Sequence, residues 1–302
     1  MDLASYRAGN NFKTFILIAA LTGLLVLIGG LIGGAGGLPG FPGVAGGVDL
    51  ALYWLSGPLA LEKSKAVAVS EAEEPELHRM IETLAQRAGV PKPGVYVTPS
   101  EQPNAFATGR NPQHAAIAVT AGIQRALPAR ELEGVLAHEM AHIKNRDILI
   151  ASVAAMVAGA ISAIANFLQF QLFFGGDDEN PLGVIGTIAM AMLAPLAAGI
   201  IQMAISRQRE FVADATGAEL LGDPLPLADA LGTLQRGAEA IPMQVNQAAA
   251  PLYIVNPLAA NARAHARGGG ASRLFSTHPP MEERIARLRL MAGEPSLRLG
   301  TF

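Results

Sequence analysis

The sequence predicts an α-helical membrane protein with four transmembrane helices and a mainly α, α+β domain at the membrane surface. Three observations predict it. Four apolar runs, residues 15–32, 38–61, 148–174 and 182–205, each reach the roughly 20 residues that cross a bilayer. Lys and Arg gather on one side of those runs. The segments between and after them carry helical and strand periodicity of their own. The composition agrees: 16% charged residues is low for a soluble domain and 51% hydrophobic is at the upper end.

Residues 1–61 form an N-terminal tail and two spans. The first run is nearly uninterrupted; it is long for a signal-peptide core, and no clear small-x-small cleavage site ends it. The second is apolar apart from Asp49 but is weakened by Gly and Pro. If its Pro39-Gly40-Phe41-Pro42-Gly43 start is loop, the N-terminus lies on the opposite side. Arg7 and Lys13 precede the first run, Lys63 and Lys65 follow the second, Lys144 and Arg146 precede the third, and Arg207 and Arg209 follow the fourth. The loops 33–37 and 175–181 hold no Lys or Arg. This asymmetry puts both termini in the cytoplasm, together with residues 62–147 and 206–302.

In residues 62–147, Leu77, Met80, Ile81, Leu84 and Ala88 mark an amphipathic helix over 76–89, stopped by Gly89 and Pro91. Residues 94–98 and 115–120 read as short strands. Asn104-Ala105-Phe106-Ala107 reads as the loop leading to the second of them. His78 lies beside an apolar stripe and reads as structural; His114 opens a strand and reads as a satisfied surface residue. A further helix follows Pro128, with Leu132, Val135 and Leu136 at helical spacing.

That helix carries His138-Glu139-Met140-Ala141-His142. Histidines four apart lie one turn from each other on the same face, so their imidazoles can grip one metal ion. Glu139 is placed to reach a water on that metal as a general base and not as a ligand. Catalytic zinc usually takes three protein ligands and a water. The metzincin continuation fails, because its positions hold Asn145 and Ile148, and the absence of cysteine excludes a thiolate ligand, a disulfide and a cysteine nucleophile. The third ligand is therefore a distant His, Asp or Glu. Glu210 is the best candidate, with Glu219 and then His278 behind it. Asp214, one turn beyond Glu210, can accept a hydrogen bond from a ligand imidazole and fix its tautomer.

After the fourth run, a helix over 207–221 ends near Gly222 and Pro224, residues 226–240 look helical, and 281–291 carries Met281, Ile285 and Leu288 at helical spacing. Residues 243–270 are poorer in pattern, and His265 beside Gly268-Gly269-Gly270 reads as exposed. A net charge of −3 with scattered basic residues leaves no nucleic-acid footprint.

HEMAHIKNRD together with SRQREFVADATGA resembles the HtpX-type membrane zinc metalloproteases, gluzincins related to the CAAX prenyl proteases. Asn104-Ala105-Phe106-Ala107-Thr108-Gly109 is similar to that family's substrate-binding edge, and Ser276-Thr277-His278-Pro279-Pro280 with Arg284 to its C-terminal motif. The resemblance runs from about residue 51 to the end. It implies a zincin-like metalloprotease domain with one zinc ion per chain held by His138, His142 and Glu210. It implies that Asn104, Ala105 and Phe106 meet an extended substrate, and that His278 and Arg284 assist Glu139 by donating to the oxyanion. It also implies protein or peptide substrates, cleavage of misfolded or membrane proteins at the cytoplasmic face of a bacterial-type inner membrane, and a place in stress response.

Three rivals remain. An intramembrane protease would have to bury Glu131, Glu133, Lys144, Arg146 and Asp147 in hydrocarbon, which is costly. A CAAX-type prenyl-protein-processing protease shares every motif but has more spans. A non-catalytic zinc-stabilised scaffold would have no use for Glu139.

Overall fold

The computed structural model describes residues 54–55, 57–153, 207–245, 250–257 and 279–294, together with 9, 12, 16 and 19. Most of the four apolar runs, and His278 with them, lie outside the described residues. Among the described residues no helix is long and apolar enough to cross a membrane.

Strand β1 (Val67–Ala68) leads to helix α1 (Pro75–Ala88) and strand β2 (Gly94–Thr98). Pro75 suits the first turn of α1, where its missing N–H costs nothing. Leu77, Met80, Ile81, Leu84, Ala85 and Ala88 form its buried stripe. Gly89 ends it in the left-handed conformation, φ 68°, its N–H bonding back to the Gln86 carbonyl. Strands β3 (Ala105–Gly109) and β4 (Ala115–Thr120) follow. Helix α2 (Ala121–Ala126) is capped by the Thr120 hydroxyl, which accepts from the Ile123 N–H, and leads to α3 (Ala129–Lys144), the histidine helix.

The sheet order is β1-β2-β4-β3. β2 and β4 run parallel, whereas β3 pairs antiparallel with β4 from Ala105 opposite Val119 to Gly109 opposite Ala115. The stretch expected as a loop before β4 is thus an edge strand from Ala105 onward. Its residues Ala-Phe-Ala-Thr-Gly offer only one large apolar side chain, too little to mark a strand, so pairing with β4 supplies what propensity lacks. At Gly109 the hairpin returns with φ 133°, and a Cβ there would lie 2.2 Å from the His114 carbonyl oxygen, so only glycine fits.

Helices α4 (Arg207–Leu221), α5 (Leu225–Ala240) and α6 (Met281–Met291) complete the described fold. α3 packs against α1, α4, α5 and the β3 side of the sheet. One hydrophobic cluster spans both halves of the sequence, joining Leu77, Ile117, Leu136 and Met140 to Leu231, Leu234 and Leu288. Close approach is bought with glycine at two points. A Cβ on Gly134 would lie 2.7 Å from the Leu227 nitrogen of α5, and one on Gly217 would lie 3.0 Å from the His138 nitrogen of α3. The second contact sets Gly217 of α4 directly on the turn of α3 that begins the His138–His142 stretch.

Candidate active site and metal centre

Four residues of α4 and α3 define the centre. Glu210, Asp214 and Gly217 recur at i, i+4 and i+7, so they share the α4 face that Gly217 lets down onto His138. The Nε2 atoms of His138 and His142 face each other at 3.2 Å. The Glu210 carboxylate completes the triangle, with 3.7 Å from Oε2 to His138 Nε2 and 3.7 Å from Oε1 to His142 Nε2. Ligand atoms on a four-coordinate zinc with bonds of about 2.0–2.1 Å stand about 3.3 Å apart. These three side chains are therefore spaced to share one cation, and their ligand atoms all lie within 4.8 Å of one another.

The other ring nitrogen of each histidine meets a carboxylate. Asp214 Oδ1 stands 2.9 Å from His138 Nδ1, and Asp147 Oδ2 stands 3.1 Å from His142 Nδ1. Such partners hold the Nδ1–H tautomer and turn Nε2 toward a metal. Asp147 was not among the residues singled out by the sequence. α3 has ended by Asn145, and Arg146 turns the chain at φ 61°, which returns the Asp147 side chain to the helix it has just left. No helical spacing encodes that reach.

Burial sets the electrostatics. His138, Glu139, Asp147, Glu210, Asp214 and Arg284 are each at most 6% exposed. Desolvation brings His138 down to about 4, against the raising effect of Asp214. Desolvation also raises Glu139 to about 7, with the Glu210 charge adding to it, while His142, the Ala107 backbone hydrogen bond and Arg284 oppose. For His142, desolvation is outweighed by Asp147, Glu210 and Glu139, which lift it to about 9. A ligating imidazole must give up the proton on its coordinating nitrogen, so metal affinity at such a site rises with pH.

Arg284 is fully buried on α6. Its Nε donates to Asp214 Oδ2 at 2.8 Å and its Nη2 to Asp214 Oδ1 at 2.7 Å, while Nη1 lies 3.4 Å from Glu210 Oε2. The ion pair outweighs desolvation and holds Asp214 below the usual carboxylate range. The guanidinium is thus held in two bonds by Asp214, and its Nη1 faces the Glu210 carboxylate from behind the three converging side chains.

Asn104, Ala105 and Phe106 are at most 1% exposed. The Thr120 N–H donates to the Asn104 carbonyl, so Asn104 and Phe106 turn their backbone groups to β4, while Ala105 and Ala107 face outward. The outward Ala105 carbonyl already accepts from the Ile254 N–H at 3.0 Å. The Ala107 backbone hydrogen-bonds to Glu139. Phe106 packs edge-on against Tyr253, ring centroids 4.9 Å apart. His138, Glu139, His142, Glu210, Asp214 and Arg284 therefore come together in one buried centre, with the β3 edge beside Glu139.

Residues 71–292 match the model of peptidase family M48. The chain is 52% identical over 287 residues to a protease HtpX homolog of Pelotomaculum thermopropionicum, covering 94% of this chain and 99% of that protein. It is 50% identical over 285 residues to a protease HtpX homolog of Gemmatimonas aurantiaca, covering 94% and 99%. Among solved structures, the crystal structure of S. mikatae Ste24p aligns with a TM-score of 0.49 at 20% identity, covering 94% of this chain and 67% of that one.

Proposed function

Since this chain belongs to peptidase family M48 and is a metalloprotease, we propose that it is a membrane-integral zinc endopeptidase that cleaves membrane or misfolded proteins at the cytoplasmic face. The observation that carries the metal-dependent reading is the convergence of His138 Nε2, His142 Nε2 and the Glu210 carboxylate at 3.2 and 3.7 Å. Two nitrogens and one carboxylate oxygen, with both Nδ1 atoms engaged by carboxylates, form a donor set suited to catalytic zinc. Zinc bound there supplies a Lewis acid for the substrate carbonyl and acidifies a water.

The chain's own residues do the rest. Glu139, buried beside the metal-binding face and poised near neutrality, takes the proton of the attacking water on its carboxylate and returns it to the departing amine nitrogen. Asp214 and Asp147 hold the two imidazoles in place, and Arg284 keeps Asp214 ionised. His278, just ahead of α6, is the proposed donor to the oxyanion that develops on the substrate carbonyl. An extended substrate adds to the outer edge of β3 through backbone hydrogen bonds. Because Ile254 holds the Ala105 carbonyl, Phe106 turns inward and the Ala107 N–H donates to Glu139, that pairing begins at the Ala107 carbonyl.

The membrane part of the proposal rests on the four apolar runs and their basic flanks. Two halves, 62–147 and 206–302, would then hang from two pairs of spans, 1–61 and 148–205. Trp54 and Leu55, at the described end of the second run, are 51% and 48% exposed, and Arg110 stacks over the Trp54 ring at 4.0 Å, a pairing suited to a headgroup layer. The test is cleavage of an unfolded protein by the purified chain in detergent. Activity abolished by a chelator and restored by zinc is the expected result; activity indifferent to chelation would remove the metal from the mechanism.

A further inference from the structure

Asn104 was expected to hold substrate, yet its side chain has nothing left to offer one. The amide nitrogen donates to the Val255 carbonyl at 2.8 Å and to Gln102 Oε1 at 3.5 Å. The amide oxygen accepts from the Ala105 N–H at 3.1 Å and from the Val255 N–H at 3.2 Å. A primary amide has two donors and two acceptor positions, and all four are taken inside the protein. The residue is 0% exposed.

What Asn104 grips is a short strap, residues 253–256, laid along the start of β3. The Ile254 N–H donates to the Ala105 carbonyl at 3.0 Å, and Tyr253 seats its ring on Phe106. On its other side the strap meets Arg284, whose Nη1 lies 3.5 Å from the Ile254 carbonyl oxygen. The remaining guanidinium nitrogens hold Asp214, which holds His138 Nδ1. In the opposite direction, Asn104 fixes the Ala105 N–H, two residues before the Ala107 backbone group that contacts Glu139. Asn104 is thus tied to a metal-binding histidine by one route and to the base by the other.

We propose that Asn104 is a positioning residue for the metal centre and not a substrate ligand: it pins the 253–256 strap to β3, and the strap backs Arg284 so that Asp214 holds His138 in register. The inference rests on the metalloprotease reading of the site. Substitution of Asn104 should disturb the metal more than the substrate. Partners that orient a metal-ligating histidine typically change metal affinity or activity by about 10–100-fold, which sets the expected scale.

The full chain in detergent allows the test. Asn104→Ala removes all four hydrogen bonds; Asn104→Ser keeps a neutral hydroxyl for one of them and carries the comparison if the alanine protein does not fold. Zinc affinity is read by competition with a chromophoric chelator, ligand geometry by the visible spectrum of the cobalt(II)-substituted protein, and kcat and KM on one unfolded-protein substrate. The expected result is a loss of zinc affinity of about 10-fold or more, an altered cobalt spectrum, a lower kcat and a KM within about twofold of wild type. A raised KM with zinc affinity and cobalt spectrum unchanged would make Asn104 a substrate ligand and overturn the proposal. Variants indistinguishable from wild type in every readout would overturn it as well. Wild-type protein that neither binds zinc nor needs it would bring down the metalloprotease reading itself, a different failure.

Discussion

His138 and His142 carry the account at the scale of the residue. A spacing of four on one helix determines where two side chains go with no knowledge of the rest of the fold, so this pair was legible in sequence. The same holds for Glu210 and Asp214, although nothing local says that their helix meets the first one. Asp147 was illegible because it acts across a helix end, through a left-handed turn at Arg146, φ 61°. Arg284 was legible as a position but not in its immediate partner, since a bidentate pair with Asp214 joins α6 to α4. Asp147 and Asp214 stand in equivalent places behind the two imidazoles. Asp147→Asn and Asp214→Asn should therefore each weaken zinc retention by about 10–100-fold while leaving a folded protein. Chelator competition measures this, and a wild-type affinity in Asp147→Asn would show that its contact with His142 does not orient the ring. The Asp214 variant should be the worse of the two, because it also removes the bidentate carboxylate partner of the buried Arg284 charge.

Between elements, the decisive contact is α4 on α3. Apolar spacing marks α1, α3, α5 and α6, Pro75, Pro226 and Pro280 sit at helix starts, and Gly89 and Gly222 follow the ends of α1 and α4, signals that lie within or beside each segment. The strand β3 escaped that logic, since Ala, Thr and Gly acquire strand character only by pairing with β4. The approach of α4 also escaped it, because Gly217 is a space left empty, and its meaning appears only when His138 stands opposite. A Cβ at Gly217 would sit 3.0 Å from the His138 nitrogen and 3.1 Å from the Ala137 carbonyl carbon, tighter than backbone can absorb without a shift. Gly217→Val should push α4 outward, carry Glu210 and Asp214 with it, and abolish zinc binding before it unfolds the domain. Zinc content and circular dichroism of the purified variant would show this directly; full zinc occupancy would mean that α4 can tilt without losing the centre.

At the scale of the whole molecule, the described residues of two sequence segments share one core, with the candidate metal centre at their seam. Its relation to the bilayer was read from hydropathy and charge alone. The proposed topology predicts that reporters fused after residues 8, 100, 178 and 302 of the 302-residue chain read inside, inside, outside and inside. An outside signal at residue 8 would demote the 38–61 run to a surface loop. The claim that this assembly is a metal-dependent protease has one most direct test, which separates the base from the ligands. In Glu139→Ala, zinc measured on the purified protein should remain near one ion per chain while cleavage of an unfolded substrate falls to the uncatalysed background, because Glu139 moves the proton and does not hold the metal. Substantial cleavage by Glu139→Ala with zinc in place would contradict the account.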